Sequence, residues 1–169
     1  MKTLYLLRHA KSSWKDADLS DIDRPLNKRG KINAPEMGKH FKRLKIKPDL
    51  IVSSPAKRAF NTASIVAKEM GYEEKNIKID MALYGANIEQ LLNIITSLEP
   101  SLDRVMLVGH NPGLTQLANF LGSENIENLP TCGLIRLDQE IKKWSSFKSG
   151  KAKLILFEYP KKLEKDKKN

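Results

Sequence analysis

The sequence predicts an α/β fold: a single three-layer αβα domain on a mostly parallel sheet, with one antiparallel strand. Three observations carry this. Short apolar runs alternate with segments whose apolar residues recur at steps of three and four, the rhythm of strand–helix units. Val105–Met106–Leu107–Val108 is apolar throughout, as a strand covered on both faces requires. The last two strand-like runs have no helix of good length between them, so one of them is expected to run antiparallel.

Leu4 to Leu7 is the first strand, ended by charge. From Asn27 onward, Ala34, Met37, Phe41 and Leu44 define one helical face, weakened a little by Gly38. Leu50–Ile51–Val52 is the second strand. Ser53–Ser54–Pro55 reads as a helix start, with Ser as cap and Pro at the first helical position. Ala59, Ala63, Val66, Ala67 and Met70 line that helix until Gly71 stops it. Ile77 to Ile79 is a weak third strand. Leu91, Leu92, Ile95 and Leu98 form another helical stripe, closed by Pro100. Leu114, Leu117, Ala118 and Leu121 follow the Val105–Val108 strand at helical spacing. Leu134 to Leu137 and Leu154 to Phe157 are the last strands. The domain is expected to span residues 1–160, with a basic, frayed tail at 161–169.

The chain of 169 residues is long enough for one sizeable core. No apolar run approaches the roughly 20 residues that span a bilayer. The opening Met1–Leu7 is cut short by Arg8, His9 and Lys11, too early for a signal h-region, so a cytoplasmic protein without membrane attachment is expected. Cys132 is the one cysteine, which excludes an internal disulfide and a thiolate metal cluster. It reads as a small half-buried side chain near a turn. The net charge of +10 favours anionic partners. No aromatic-interleaved basic platform, helix-turn-helix or zinc signature supports nucleic acid.

In an open parallel α/β sheet, ligands bind beyond the carboxyl ends of the strands. Three features fall there. Arg8–His9 follows the first strand, the helix carrying Arg58 follows the second, and Gly109–His110–Asn111–Pro112 follows the Val105–Val108 strand. If those strands are neighbours, two histidines and two arginines converge. Such a set suits a phosphoryl group, whose charge is spread over its oxygens. Arginine's planar fork matches those oxygens and keeps its proton. At about 4 Å and an effective dielectric of about 20, each charge contact gives about 4 kcal/mol before desolvation. Guanidiniums beside a histidine also disfavour imidazolium, leaving a ring nitrogen free to attack phosphorus. His40, on the first helix, reads as a surface or boundary residue.

Leu7–Arg8–His9–Ala10 resembles the Arg-His-Gly signature of the histidine phosphatase, or phosphoglycerate mutase-like, superfamily. Residues 53–63 resemble its second block and Gly109–Pro112 its third, in the family's order. The short length, Asp23–Arg24–Pro25–Leu26 and the His-Asn-Pro block are most similar to SixA-type phosphohistidine phosphatases. The resemblance implies a phosphohistidine intermediate on His9, with Arg8, Arg58 and His110 holding the phosphoryl group. Ser12, Asn111 and Tyr84 are the further expected substrate contacts. Neither a cofactor nor a metal is implied, and no Asp/Glu cluster is spaced for one.

One departure bears on the substrate. Many superfamily members carry an acidic residue after the third strand, whereas Met81–Asn87 holds no carboxylate. An alkoxide leaving group needs a proton, and acid help is typically worth about 10²–10⁴-fold. A phosphohistidine imidazole leaves as a neutral ring and needs less. Tyr84, Asp21 and Asp23 remain as donors, the two aspartates reading equally as loop caps or Arg24 partners. The expectation is a metal-independent, monomeric phosphatase acting on phosphohistidine of a phosphorylated protein. The alternatives are a phosphomonoesterase for a small phosphate compound, or a phosphate-dependent binding module without catalysis.

Overall fold

The computed structural model describes all of residues 1–169. Six strands form one sheet in the order β3-β2-β4-β1-β5-β6. They are β1 (Lys2–Arg8), β2 (Leu50–Ser53), β3 (Lys78–Ile79), β4 (Arg104–Gly109), β5 (Leu134–Gln139) and β6 (Lys153–Glu158). The pairs β1–β4, β2–β4 and β2–β3 are parallel. β5 is antiparallel to both β1 and β6, so it is the one reversed strand. The helices are α1 (Lys28–Arg43), α2 (Lys57–Met70), α3 (Ile88–Thr96), α4 (Gly113–Leu121) and α5 (Pro160–Lys168). None is long and apolar enough to cross a membrane.

Alternation along the strands sorts the core into two layers. Tyr5, Leu7, Ile51, Met106 and Val108 face α1 and α2, meeting Met37, Phe41, Ala63 and Val66. Leu4, Leu6, Val52, Val105 and Leu107 face α3 and α4, meeting Leu91, Ile95, Leu114 and Leu117. Thus β1 and β4 are buried on both sides, which is why their runs carry no polar alternation. Gly38 belongs to the α1–α2 contact. A Cβ there would lie 2.8 Å from that of Glu69, so the glycine lets the two helices approach.

Three local expectations are corrected. Residues 161–169 are not a frayed tail: α5 starts at Pro160, buries Leu163 in the first core layer, and ties Lys162 to Glu158 at 2.7 Å. Ser53–Pro55 does not cap α2. That helix begins at Lys57 with Ala56 at the cap position and no side-chain cap bond. Cys132 is fully buried rather than half-buried, with φ +59° in a turn, and burial pushes its thiol up to about 12. A thiol so placed stays protonated and unreactive.

The chain after β1 is tied down tightly. Asn27 caps α1 by accepting from Gly30 N, and its own N–H donates to the Lys11 carbonyl at 2.9 Å. A Cβ on Gly30 would lie 2.2 Å from that same carbonyl oxygen. Gly30→Ala should therefore destabilise by about 1–3 kcal/mol in a denaturant titration. It should also lower catalytic efficiency, because Lys11 is two residues from His9.

Candidate active site

Sheet order brings the three chemistry-bearing segments together. β4 lies between β1 and β2, so their carboxyl ends are adjacent. The β1–β4 ladder continues one step past the strands, with His9 N–H donating to the Gly109 carbonyl at 3.1 Å. That places His9 beside His110, with ring centroids 5.2 Å apart. The turn before β5 closes the floor: Cys132 N–H donates to the carbonyls of both Arg8 and His9 at 3.1 and 3.0 Å.

His9 is 7% exposed, and its Nδ1 lies 2.7 Å from the Ala10 carbonyl. A carbonyl only accepts, so Nδ1 carries the proton and Nε2 keeps its lone pair. Burial first, then the charges of His110, Arg58 and Arg8, lower its pKa to about 3, although the Ala10 bond opposes this. His110 is lowered to about 4, chiefly by burial and then by Arg58. Both rings are therefore neutral at pH 7, and His9 offers an unprotonated nitrogen.

His110 Nε2 sits 2.7 Å from Ser54 Oγ. Ser54, expected to cap a helix, instead orients this ring. Tyr84 packs edge-on against it at 5.6 Å between centroids. In the whole chain, two buried side-chain polar atoms lack a hydrogen-bond partner: Arg8 Nε and His110 Nδ1. An unpaired buried donor costs about 1–3 kcal/mol. Both orphans lie in this one site, where an oxyanion could satisfy them.

Arg58 is 7% exposed and points inward. It donates to the Asp21 carbonyl at 2.7 Å and to Asp21 Oδ2 at 3.0 Å. Arg24 holds Oδ1 of the same carboxylate at 2.9 Å, and the Tyr84 hydroxyl donates to Oδ2 at 2.5 Å. The Tyr84 bond, with the two arginines, holds the Asp21 carboxyl well below the usual carboxylate range. Its carboxylate in turn raises the Tyr84 pKa. Asp21 is thus ionised and Tyr84 keeps its proton. Asp23 accepts from Ser20 Oγ at 2.8 Å.

The structure brings together Arg8, His9, Arg58, His110 and Tyr84. Ser12 is buried nearby and accepts from Arg24 at 2.5 Å. Asn111 is a correction. Its amide donates to Asn128 and the Leu129 carbonyl, and its oxygen accepts from Thr115, so its polar atoms are committed to the loop and α4. Residues that the sequence reading missed are Ser54 and Thr62, whose Oγ1 accepts from Ala10 N–H at 2.9 Å. The Leu129 carbonyl, which receives Arg8 at 3.0 Å, was also missed. Only a serine next to the second strand's end offered a signal. No group of three or more His, Cys, Asp or Glu side chains is placed to hold a metal.

Comparison with known proteins gives the family and the fold. Residues 4–91 match the model of the histidine phosphatase superfamily (branch 1). An uncharacterized chloroplastic protein of Arabidopsis thaliana is 36% identical over 151 residues, which is 85% of this chain and 69% of that protein. A SixA from Agrobacterium tumefaciens, described as a candidate phosphohistidine phosphatase, superposes with a TM-score of 0.79 at 32% identity. That match covers 94% of this chain and 98% of the other. The protein histidine phosphatase SixA, solved with tungstate, shares the fold at a TM-score of 0.82 and 18% identity, over 95% of this chain and 99% of that one.

The depressed histidines have a thermodynamic consequence. An unfolded chain regains the usual 6.5, so between about pH 3 and 6.5 unfolding takes up protons. Stability should therefore fall as pH drops through that window. In His9→Asn, proton uptake on unfolding near pH 5 should shrink by about one, read from the slope of unfolding free energy against pH.

Proposed function

Because the chain belongs to the histidine phosphatase superfamily, we propose that it is a metal-independent phosphatase whose His9 takes the phosphoryl group from phosphohistidine. The observation that carries this reading is the His9 Nδ1–Ala10 carbonyl bond, which leaves Nε2 as the attacking atom. In the first step Nε2 forms a bond to phosphorus while the substrate's P–N bond breaks. The departing imidazole keeps the bonding pair and leaves as a neutral ring, its other nitrogen being already protonated. Water then attacks phospho-His9, its proton passes to the phosphate product, and Nε2 regains its lone pair.

Arg8, Arg58 and His110 would hold the phosphoryl oxygens through these steps. Arg58 keeps donors beyond the two committed to Asp21, and Arg8 Nε and His110 Nδ1 await an acceptor. Such groups cost no reorganisation as charge develops, which is where most rate enhancement of this kind arises. Ser12 and Tyr84 act beside them by positioning Arg24 and Asp21.

Leaving-group chemistry favours phosphohistidine over an ester. The carboxylate nearest the site, Asp21, is ionised by two guanidiniums and a phenol. It has no proton to give an alkoxide, and Tyr84 is disinclined to release its own. An imidazole leaving group makes no such demand.

The test is a rate comparison between a phosphohistidine peptide and a panel of phosphate esters, with chelator present. The expected result is phosphate release from phosphohistidine and activated aryl esters, little from alkyl esters, and no effect of Mg²⁺. His9→Ala should lose at least about 10³-fold, the scale seen on removing a catalytic nucleophile. Efficient turnover of alkyl phosphates would replace this reading with a small-molecule phosphomonoesterase.

A further inference from the structure

A second surface adjoins the site, and its cations and exposed apolar side chains have no role in the chemistry above. Residues 11–15 and 25–32 enclose an open groove of about 1260 Å³. Its walls carry Lys11, Lys15, Lys28, Arg29 and Lys31, and no carboxylate lines it. None of these five cations is ion-paired; the chain's salt bridges all involve other residues. Three of them crowd the first turn of α1, which holds no acidic residue. Cations at a helix N-terminus oppose the macrodipole, so they are not there to stabilise the helix.

The groove also presents apolar surface. Trp14 is 76% exposed and Ile32 52%. The Trp14 ring does not swing freely, because the Arg24 guanidinium lies 3.2 Å from its centroid. Arg24 itself is buried and fixed by Ser12 Oγ, the Ser13 carbonyl and Asp21. One ring face is therefore braced and the remaining surface is offered to solvent. A rigid, exposed tryptophan ringed by unpaired cations has the makings of a binding hot spot. Arg24 also connects this platform, through Asp21, to Arg58 in the phosphoryl site.

We propose that this groove docks an acidic segment of the phosphoprotein substrate, flanking the phosphohistidine that enters at His9. The proposal rests on the phosphohistidine reading and adds its substrate class: a protein whose phosphohistidine lies beside Asp or Glu and an apolar side chain. The cations meet the carboxylates, and Trp14 and Ile32 meet the apolar residue. The apolar pair favours a peptide over a bare polyanion, which would use the charges alone. Lys11 begins the groove two residues after His9, so one short segment could reach both.

The test uses the full chain with two phosphohistidine peptides, identical except that acidic flanking residues are replaced by neutral ones, and with free phosphoramidate. The acidic peptide should show the higher kcat/KM, by about tenfold, through a lower KM. Lys28→Glu/Arg29→Glu should remove that advantage while phosphoramidate turnover stays within about twofold. Equal rates on the two peptides, or equal losses on peptide and phosphoramidate, would overturn the proposal. Intrinsic fluorescence decides independently of turnover. Trp144, the other tryptophan, is fully buried, so a blue shift on adding unphosphorylated acidic peptide reports Trp14. That shift should vanish in Trp14→Phe and weaken with salt. If nothing is hydrolysed but the shift appears, the phosphohistidine reading fails and the acidic docking site stands. If a single-stranded oligonucleotide gives the shift at lower concentration than the peptide, the groove is not an acidic-peptide site.

Discussion

The proposed chemistry at this site depends on one short bond, from His9 Nδ1 to the carbonyl of the next residue. It fixes the tautomer, and so decides which nitrogen can attack. It works because the ring is kept neutral by burial and by the charges of His110, Arg58 and Arg8. Protonation would abolish the nucleophile, and a free Nδ1 would leave the wrong nitrogen deprotonated in part of the molecules. The rest of the fold can be understood as holding Ala10 still. Thr62 receives its N–H, Cys132 ties down the two residues before it, and Asn27 and Gly30 clamp Lys11 after it.

The electrostatics divide cleanly. Two guanidiniums face the pocket, and only one negative group approaches it. That group, Asp21, sits between Arg58, Arg24 and Tyr84 and spreads its charge over all three. It keeps Arg58 ordered and turned inward, so the entropy of fixing a long side chain is lost on folding rather than on binding. The same bonds keep the carboxyl ionised, which removes it as a general acid. In the proposed function, one residue would therefore both organise the anion site and restrict the leaving groups it can serve.

Much of this was legible in the sequence. The two-sided burial of β1 and β4 could be seen in Leu4–Leu7 and Val105–Val108, because a strand covered on both faces has no polar alternation to hide it. The single reversed strand followed from the missing helix between β5 and β6. The meeting of His9, Arg8, Arg58 and His110 could be anticipated because strand ends are where such folds put their ligands. What failed was local and depended on side-chain partners. Ser54 has the composition of a helix cap but turns to His110, since α2 starts three residues later. Asn111 lies in the right motif, yet Thr115 and Leu129 claim its amide. The charge run at 161–169 reads as a tail, while Leu163, together with Pro160 at the helix start, supplies the burial that docks it as a helix. The groove around Trp14 was invisible for a different reason. Its cations come from two segments, distant in sequence, that are joined by the Ser12–Leu26 bridge and the backbone bonds beside it.

The most direct measurement is to trap the covalent intermediate. Enzyme mixed briefly with excess phosphoramidate and quenched in alkali, where phosphohistidine survives, can be digested and read by mass spectrometry and ³¹P NMR. The account predicts one acid-labile phosphoryl group on His9, attached at Nε2. A phosphoryl group on Nδ1, on His110 or on a hydroxyl or carboxylate side chain would contradict it, as would turnover with no phosphoenzyme at all.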